Sequence, residues 1–452
     1  MAAKRVKSHA PLSVSKDRVL ESAAKNKLEY IRLQLTDILG TPKNIVIPIR
    51  RLEEILDDGI AFDASSIIGY ATIEESDLIA RPVLDSFCIL PEELEKRPAA
   101  RMICDIYNPD GGRFPGDPKY VLERVVQKAS AMGFEFNTGP ECEFFLFKIL
   151  DGQLTTVPND NGGYFDLSPL DLAENVREDI CSTLEKLGFQ VYTSHHECAA
   201  GQHEINFHYA DAITTADRVV TLRYVAKAIA LKYNLHATFM PKPIFGVNGT
   251  GMHTHMSLFR NGGNIFHDKK GPEELSQTAM HFIGGLLKHS KEMAAILNSK
   301  VNSYKRLVPG YEAPTYIAWS TENRSALIRI PAKRGNSTRV ELRNPDPAGN
   351  PYLQFAVMLA SGLKGIETRI EPPEPVHKDI YSLTQREREL YKIDTLPYNL
   401  GHALSFMEKS ELMLETLGAH IFENYLYIQN REWNEYRTQV TKWEIDRYLS
   451  TI

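Results

Sequence analysis

The chain has 452 residues, of which 43% are hydrophobic and 24% charged, values typical of a water-soluble globular protein with room for two or more domains. Its formal net charge of −6 argues against nucleic acid as the main partner, because phosphate binding needs a basic face. No apolar run is long enough to cross a bilayer, which argues against a membrane protein, and five scattered cysteines predict a reduced, cytoplasmic chain.

The N-terminal part predicts a small α+β unit. A helix capped by Ser15 is expected over residues 15–27, and alternating apolar residues predict strands at 30–36 and 101–107. The proline- and glycine-rich stretch 108–118 then reads as a domain boundary. We therefore predict an N-terminal domain over residues 16–112 and a larger domain over residues 113–452.

The stretch 139–147 predicts a short buried strand, because apolar residues lie on both of its faces after a Gly-Pro break. Glu141 and Glu143 are two residues apart and therefore point to the same side. Two buried like charges repel each other and lose hydration, which a multivalent cation would offset. The alternative is a strand end that emerges into solvent.

Two helices are predicted beyond this strand. Ser168 and Pro169 have the pattern of a helix start, with apolar residues at helical spacing until Gly188. A second helix is expected from about Thr215 to Lys232.

Three further stretches alternate so that polar side chains share one face of a strand. Glu197 adds another carboxylate just before the first of them. Several strands that present acids, histidines and arginines predict a curved sheet whose concave face is a charged site. The shared faces carry Gln202, Glu204, Asn206 and His208; His253, His255 and Ser257; and Arg339, Glu341 and Arg343.

This ligand set indicates hard divalent cations. The acids Glu141, Glu143, Glu197, Glu204 and Glu341 outnumber the single nitrogen donor His253, which favours Mg²⁺ or Mn²⁺ over Zn²⁺. So many carboxylates exceed the needs of one ion, and two ions are typical of phosphoryl-transfer sites. Alternatively, each acid is structural on its own, and Glu341 could pair with Arg339.

Arginines in the stretches 302–312 and 323–331 would complement a nucleoside triphosphate, since guanidinium groups match phosphate oxygens. No Walker A sequence and no dinucleotide-binding glycine fingerprint is present. The residues alone therefore predict a metal-dependent phosphoryl-transfer site that also holds an anionic substrate.

These stretches resemble the glutamine synthetase family, in the shorter alpha-type form of its type I enzymes, from about residue 28 to the C-terminus. The resemblance is carried by Gly139-Pro140-Glu141-x-Glu143-Phe144-Phe145, His195-His196-Glu197, Gly246-Val247-Asn248-Gly249-x-Gly251-Met252-His253, and residues 302–314, 323–331 and 344–351.

The resemblance implies an α+β fold, with a small β-grasp N-terminal domain and a large catalytic domain built on a curved antiparallel sheet flanked by helices. It implies ATP-dependent ligation of ammonia to the γ-carboxylate of glutamate through γ-glutamyl phosphate, with ATP as co-substrate and two Mg²⁺ or Mn²⁺ ions per site. A dodecamer of two hexameric rings would place each active site between subunits, and 2-oxoglutarate or small regulatory proteins are possible partners. The alternative is a glutamate ligase that uses another amine.

The resemblance also implies roles for individual residues. One metal would be held by Glu143, Glu197 and Glu204, and the other by Glu141, His253 and Glu341. Substrate would meet Ser66, Glu143, Asn248, Gly249, Arg306, Glu312, Arg324 and Arg343. Nucleotide would meet Tyr164, Tyr192, His255, Ser257, Arg324, Arg329 and Arg339. Asp63 and Ser66 would come from the adjacent subunit to bind ammonium, with Asp63 as the general base. The other catalytic residues would be Glu312, which closes the site, and Arg324.

The loop over residues 63–72 departs from the family pattern. Ala64, Ile68 and Tyr70 replace its usual residues, and Thr72 stands where many alpha-type relatives carry an arginine tied to glutamine feedback. We therefore expect weak feedback, and the changed loop keeps the alternative amine open. None of these changes removes a predicted metal ligand or Asp63.

Overall fold

The structure is a computed structural model that describes residues 14–71, 76–321 and 323–452; Thr72 lies outside these ranges. The chain forms two compact units. Within the described residues the first runs to Asp37 and continues over Pro42–Phe114, and the second comprises Ile38–Thr41 and Pro115–Ile452. No helix in the described ranges combines the length and apolarity that crossing a membrane requires.

The first unit is a mixed sheet with two helices. Alternation in its first strand buries Ile31, Leu33 and Leu35 on one face, where they join the core of this unit. The sheet is ordered β2-β1-β6-β4-β3, with β5 beside β6; β1 and β6 are parallel and the other pairs are antiparallel. Its elements are α1 (Lys16–Lys25), β1 (Tyr30–Thr36), β2 (Pro42–Pro48), α2 (Leu52–Asp58), β3 (Ile60–Asp63), β4 (Asp77–Pro82), β5 (Cys88–Ile89) and β6 (Ala99–Tyr107).

The second unit is built on a twelve-stranded sheet ordered β18-β15-β16-β17-β13-β7-β10-β9. Strands β8, β11 and β12 also pair with β7, and β14 pairs with β13; only β15 and β16 run parallel among these pairs. The strands are β7 (Glu135–Leu150), β8 (Gln153–Pro158), β9 (Val191–His196), β10 (Gln202–Phe207), β11 (Ala210–Asp211), β12 (Leu235–Thr238), β13 (Met252–Arg260), β14 (Gly263–Asn264), β15 (Tyr316–Ser320), β16 (Ala326–Arg329), β17 (Val340–Leu342) and β18 (Asp394–Thr395).

Five helices of this unit, α3, α5, α6, α7 and α12, contact α9, which is buried along most of its length. Glycines allow α6 and α9 to approach closely, because a Cβ on Gly285 would lie 2.2 Å from the carbonyl oxygen of Ser361. The helices are α3 (Pro118–Ala131), α4 (Glu174–Lys186), α5 (Ala212–Lys232), α6 (Gln277–Lys288), α7 (Ser290–Leu297), α8 (Ser303–Arg306), α9 (Pro351–Thr368), α10 (Gln385–Leu390), α11 (Leu400–Met407), α12 (Glu411–Arg437) and α13 (Lys442–Tyr448).

The predicted Gly-Pro break before residue 141 is wrong. Strand β7 begins at Glu135 and runs through Gly139 and Pro140. The β10 ladder stops where Glu141 faces Asn206, and the β11 ladder resumes only at Thr138. Residues 139 and 140 therefore face an interruption on that side, where the missing N–H of proline breaks no hydrogen bond.

The predicted helix start at Ser168 is also wrong, since α4 begins at Glu174. Backbone N–H groups before it bond to side chains instead of forming a helix: Leu172 donates to Asp160 (3.1 Å) and Ala173 donates to Asp171 (2.8 Å). Such local hydrogen bonds compete with helix formation, and the pattern at Ser168 did not reveal them. The second predicted helix is confirmed as α5, which starts slightly earlier because Asp211 caps it.

Candidate functional site

The register of the second unit's sheet sets acids, histidines and an arginine opposite one another. Residues that oppose each other across two strands share a face, so these side chains form one polar surface. The opposed pairs are Glu141 with His253, Glu143 with Glu204, His255 with Glu341, Glu204 with His195, and Glu341 with Arg329.

The first cluster on this surface consists of Glu141, His253 and Glu341. Their potential ligand atoms all lie within 4.8 Å of one another. The Nδ1 atom of His253 is 3.5 Å from Oε2 of Glu141. Two carboxylates and an imidazole at this spacing can hold one divalent cation.

Glu341 is fully buried and lies between two guanidinium groups. The Nη1 atom of Arg343 is 2.5 Å from its Oε1, and the Nη2 atom of Arg329 is 2.5 Å from its Oε2. The suggested pairing of Glu341 with Arg339 is therefore wrong. Arg339 instead donates its Nε hydrogen to Nδ1 of His255 (3.2 Å), because the His255 side chain lies between Arg339 and the carboxylates.

This contact defines the tautomer of His255. Since Nδ1 accepts from Arg339, the proton lies on Nε2, which donates to Oε1 of Glu141 at 2.8 Å. Burial favours the protonated form of Glu141, but hydrogen bonds with His253 and His255 outweigh it and hold its pKa below the usual range. Glu141 is therefore anionic and oriented.

The second cluster consists of His195, Glu197 and Glu204, whose potential ligand atoms also lie within 4.8 Å of one another. Nε2 of His195 is 3.0 Å from Oε1 of Glu197. Glu143 lies opposite Glu204, and its Oε2 accepts from Nε2 of Gln202 (2.9 Å) and from the N–H of Gly251 (2.8 Å).

The pKa values of Glu204, in this second cluster, and of Glu143, opposite it, indicate too little positive charge around these two carboxylates. Burial raises the pKa of Glu143 to about 7, and the charge of Glu197 adds to the rise. Burial and the charge of Glu143 raise the pKa of Glu204 well above its ordinary value. A divalent cation would supply the missing charge, so these carboxylates fit a metal ion better than they fit each other.

A cavity beside these carboxylates is lined by Asn248, Gly249, Arg306, Glu312 and Arg343 together with Glu143. Arg306 is buried there, and its guanidinium group donates to the backbone carbonyl oxygens of residues 343–345 at 2.7 to 3.3 Å. Gly249 has no room for a side chain, because a Cβ would lie 2.4 Å from the carbonyl oxygen of Pro241 and 3.0 Å from Cγ of Arg306. Glu312 adopts a φ of 55° and is exposed at the cavity's edge.

A second cavity, of about 450 Å³, lies along β13 and is lined by four of the predicted nucleotide contacts, Tyr192, His255, Ser257 and Arg339. Tyr164 and Arg329 are not part of this lining. Tyr164 stacks on Phe165 with ring centroids 4.1 Å apart, and Arg329 pairs with Glu341. Arg324 is exposed on the turn before β16 and lines neither cavity.

The comparisons with known proteins agree with this architecture. The family model described as "Glutamine synthetase, catalytic domain" matches residues 115–448, and the one described as "Glutamine synthetase, beta-Grasp domain" matches residues 27–109. The chain belongs to the glutamine synthetase family. The predicted family and the predicted fold, a β-grasp domain followed by a large catalytic domain, are confirmed.

Relatives in the family cover nearly the whole chain. A glutamine synthetase of Clostridium saccharobutylicum is 51% identical over 437 residues, covering 96% of this chain and 99% of that protein. A glutamine synthetase of Methanosarcina mazei is 52% identical over 439 residues, covering 97% and 98%. A solved structure described as "GmaS/ADP complex-Conformation 1" is 34% identical with a TM-score of 0.87, covering 96% of this chain and 99% of that one.

Asp63 and Ser66 belong to the first unit, at the end of β3 and in the turn that follows. Both side chains are exposed. Oδ1 of Asp63 accepts the N–H of Ser65 at 2.8 Å, and hydrogen bonds from Ser65 hold the pKa of Asp63 below its usual value. The exposed, ionised carboxylate of Asp63 at the end of β3 is suited to bind a cation.

Sequence reasoning did not single out two features of the second unit. His195 joins Glu197 and Glu204, which the β9–β10 register could have indicated only once the pairing of those strands was known. The second is a fully buried group of Asp160, His196 and His203. Asp160 lies in a polar loop, and no local pattern connects it to the histidines.

In this group, Asp160 holds several segments together. Its carboxylate accepts from Nε2 of His196 (3.0 Å) and from the N–H groups of Gly201 (2.9 Å) and Leu172 (3.1 Å). Nδ1 of His196 lies 2.6 Å from the carbonyl oxygen of Glu197. Both ring nitrogens of His196 thus face acceptors, and the contact with Asp160 raises the pKa of His196 despite burial. The charged pair orients the backbone beside Glu197.

Proposed function

We propose that this protein joins ammonia to the γ-carboxylate of L-glutamate, giving L-glutamine, and that ATP drives the reaction through γ-glutamyl phosphate. The observation that carries the proposal is the convergence of Glu141, Glu143, Glu204, Glu341 and His253 on one face of a single sheet, with Glu197 directly after β9 beside them. Membership in a family whose relatives named glutamine synthetase are about half identical over nearly the whole chain supports it.

The two carboxylate clusters would each hold one Mg²⁺ or Mn²⁺ ion. Glu141, His253 and Glu341 would bind one ion, and Glu143, Glu197 and Glu204 the other, with His195 beside them. Bound cations would neutralise phosphate oxygens and stabilise the charge that develops as the phosphoryl group is transferred. The raised pKa values of Glu143 and Glu204 support a site built to receive positive charge.

The residues lining the two cavities would bind and orient the substrates. Asn248, Gly249 and Arg343 would hold glutamate, and Arg306 would support that cavity from within. The 450 Å³ cavity with Tyr192, Ser257 and Arg339 would take ATP. Arg329 and Tyr164 would contribute beside it, and Arg324 would reach the transferring phosphate.

In the first step, a γ-carboxylate oxygen of glutamate attacks the terminal phosphorus of ATP, and ADP leaves. In the second, Asp63 takes a proton from ammonium, and the ammonia formed attacks the carbonyl carbon of γ-glutamyl phosphate so that phosphate leaves. Ser66 would help to bind ammonium, and Glu312 would close the cavity. Closure matters because water would otherwise hydrolyse the intermediate.

We propose a homo-oligomer in the cytoplasm, with the two-ring dodecamer of the resemblance as its form and Asp63 and Ser66 reaching an adjacent subunit's site. Helix α13 has no buried residue within its own chain; Trp443, in this helix, and Leu449, directly after it, are 61% and 78% exposed. Exposed apolar side chains that lie close together are typical of surfaces that a partner covers.

The decisive experiment measures phosphate release that depends on both ATP and glutamate, with ammonium, methylamine or ethylamine as the acceptor. We expect ammonium to support the fastest turnover and glutamine to be the product. Faster turnover with an alkylamine would overturn the assignment in favour of a glutamate ligase for another amine, which the altered residues Ala64, Ile68 and Tyr70 leave open. Absence of turnover with every amine would overturn both.

Regulation by the product is expected to be weak, because the 63–72 loop lacks the arginine associated with feedback in alpha-type relatives. Titrating glutamine into the ammonium assay tests this expectation, and half-inhibition at low millimolar glutamine would contradict it. The same assay with 2-oxoglutarate or added protein partners tests whether other effectors act.

A further inference from the structure

Lys242 is a buried cation that no step above uses. The residue is 8% exposed, and no carboxylate of the described residues lies within ion-pair distance of its ammonium group. The ammonium group donates to the carbonyl oxygen of Val247 and lies 3.9 Å from the centre of the Tyr311 ring. Cation–π contacts are strongest when the cation is removed from water, so this contact is expected to hold the ammonium group and the Tyr311 ring together.

The backbone of Lys242 is held as firmly as its side chain. Its N–H donates to Oδ1 of Asn302 at 2.7 Å, and its carbonyl oxygen accepts from Nδ2 of the same asparagine at 3.0 Å. The neighbouring carbonyl of Pro241 accepts the N–H of Thr250 at 2.8 Å. Lys242 is thus anchored at its base, which gives its ammonium group a defined position.

The two contacts of the ammonium group belong to two different walls of the glutamate cavity. Val247 immediately precedes Asn248 and Gly249, and Tyr311 immediately precedes Glu312. Val247 and Tyr311 are far apart in the chain, so the contacts of Lys242 connect two segments that the sequence does not bring together. Burial, together with the charge of Arg306, lowers the pKa of Lys242 and so disfavours its charged form. The contacts with Val247 and Tyr311 stabilise that charged form.

We propose that Lys242 is a positioning residue that ties residues 247–249 to residues 311–313 and so holds the Glu312 segment over the γ-glutamyl phosphate. This proposal rests on the proposed function for its chemical consequence. When the tie is absent, water reaches the intermediate, and its hydrolysis regenerates glutamate and releases phosphate. The net reaction is then ATP and water going to ADP and phosphate, without glutamine.

The first test compares wild type with Lys242→Met and Tyr311→Leu in the ammonium assay, measuring phosphate and glutamine together. Loss of a desolvated cation–π contact shifts the closed-to-open equilibrium by about 5- to 30-fold. We therefore expect several phosphates per glutamine in both variants and a ratio near one in wild type. Tyr311→Phe, which keeps the ring, should retain the wild-type ratio.

A matched control is Lys305→Met. Lys305 also lies over a tyrosine ring, that of Tyr436 at 5.3 Å, but its side chain is exposed and touches neither wall of the cavity. Its ratio should equal that of wild type. The double variant Lys242→Met/Tyr311→Leu should be no more uncoupled than Lys242→Met alone, because Tyr311→Leu removes a contact that Lys242→Met already lacks. Additive effects, or a wild-type ratio in Lys242→Met, would overturn the proposal.

A second measurement separates this proposal from the proposed function. Hydrogen–deuterium exchange of peptides covering residues 307–315 needs no turnover. Exchange there should be about 5- to 30-fold faster in Lys242→Met and Tyr311→Leu than in wild type and Lys305→Met. Unchanged exchange would overturn the tie even in an active enzyme, whereas faster exchange in a protein that makes no glutamine would overturn only the reaction.

Discussion

Glu341 shows how much depends on one carboxylate. It is fully buried, pairs with Arg329 and Arg343 at 2.5 Å each, and lies in a cluster with Glu141 and His253. A charge in such a place balances two guanidinium groups on one side and, in the proposed site, would help to bind a cation on the other. Its removal therefore affects both the stability of the sheet and the affinity for metal.

The variant Glu341→Ala should lose one bound Mg²⁺ or Mn²⁺ per subunit by calorimetric titration, and its free energy of unfolding should fall by roughly 3–5 kcal/mol, because the buried Arg343 and the half-buried Arg329 lose their partner. Glu415→Ala is a suitable control, since Glu415 forms an exposed ion pair with Lys128. That control should change stability by no more than about 1 kcal/mol. Near-normal activity and metal binding in Glu341→Ala would refute the metal assignment.

We predict that Glu143 makes metal affinity depend on pH. Because burial raises its pKa to about 7, the metal-free protein carries a proton on Glu143 below that pH, and an incoming cation must displace it. Affinity for Mg²⁺ should therefore fall about tenfold for each pH unit below this value and level off above it.

This dependence is measured by titrating Mg²⁺ about one pH unit below and above that pKa, in buffers that differ in ionisation enthalpy. Binding at the lower pH should release a proton to the buffer. Glu143→Gln, which cannot ionise at this position, should bind Mg²⁺ more weakly and release fewer protons than wild type. Equal affinity and no proton release in wild type at both pH values would show that Glu143 is not the group displaced.

At the scale of elements, the loop before β13 is defined by close backbone approach. The variant Gly249→Ala would place a Cβ 2.4 Å from the carbonyl oxygen of Pro241, so the loop must shift and Asn248 with it. A shift of this size should lower kcat/KM for glutamate by roughly 10- to 100-fold. Gly263→Ala is the control, because its Cβ would meet only an atom 3.6 Å away. Steady-state kinetics with varied glutamate would contradict the prediction if both variants matched wild type.

The loop between β8 and α4 depends on Asp160, whose buried carboxylate binds His196 and the backbone of two other segments. Asp160→Ala should lower the free energy of unfolding by roughly 3–5 kcal/mol, because charged His196 loses its partner. Asp166→Ala, which loses one hydrogen bond from Gly163, should cost about 1 kcal/mol. Equal melting behaviour of the two variants would argue that Asp160 is not the anchor of this loop.

At the scale of the whole molecule, the exposed apolar side chains of α13 predict assembly. Replacing Trp443 and Leu449 by serine should give smaller particles in sedimentation velocity, while the melting of the isolated subunit stays unchanged, since neither side chain is buried in its own chain. Lys442→Ser, an exposed polar change in the same helix, should leave particle size unaltered. Unchanged particles in the double variant would exclude this helix as an interface.

The sequence by itself determined the alternation of polar and apolar residues within single strands, and its motifs identified the family. Alternation every second residue placed Glu141 and Glu143 on one face and predicted β1 and the polar faces of β10 and β13. The structure confirms strands at these positions. The choice of Mg²⁺ or Mn²⁺ followed from side-chain chemistry alone and stays a prediction.

Only the tertiary structure decided which distant residues meet. Glu341 pairs with Arg329 and Arg343 and not with Arg339. On one side β16 sets Arg329 opposite Glu341, and on the other β13 sets His255 there, where it accepts a hydrogen bond from Arg339. Likewise α4 starts at Glu174, since the carboxylates of Asp160 and Asp171 bind the N–H groups that a longer helix would need. Local periodicity is set by the backbone of one segment, whereas register and capping depend on burial across the whole sheet.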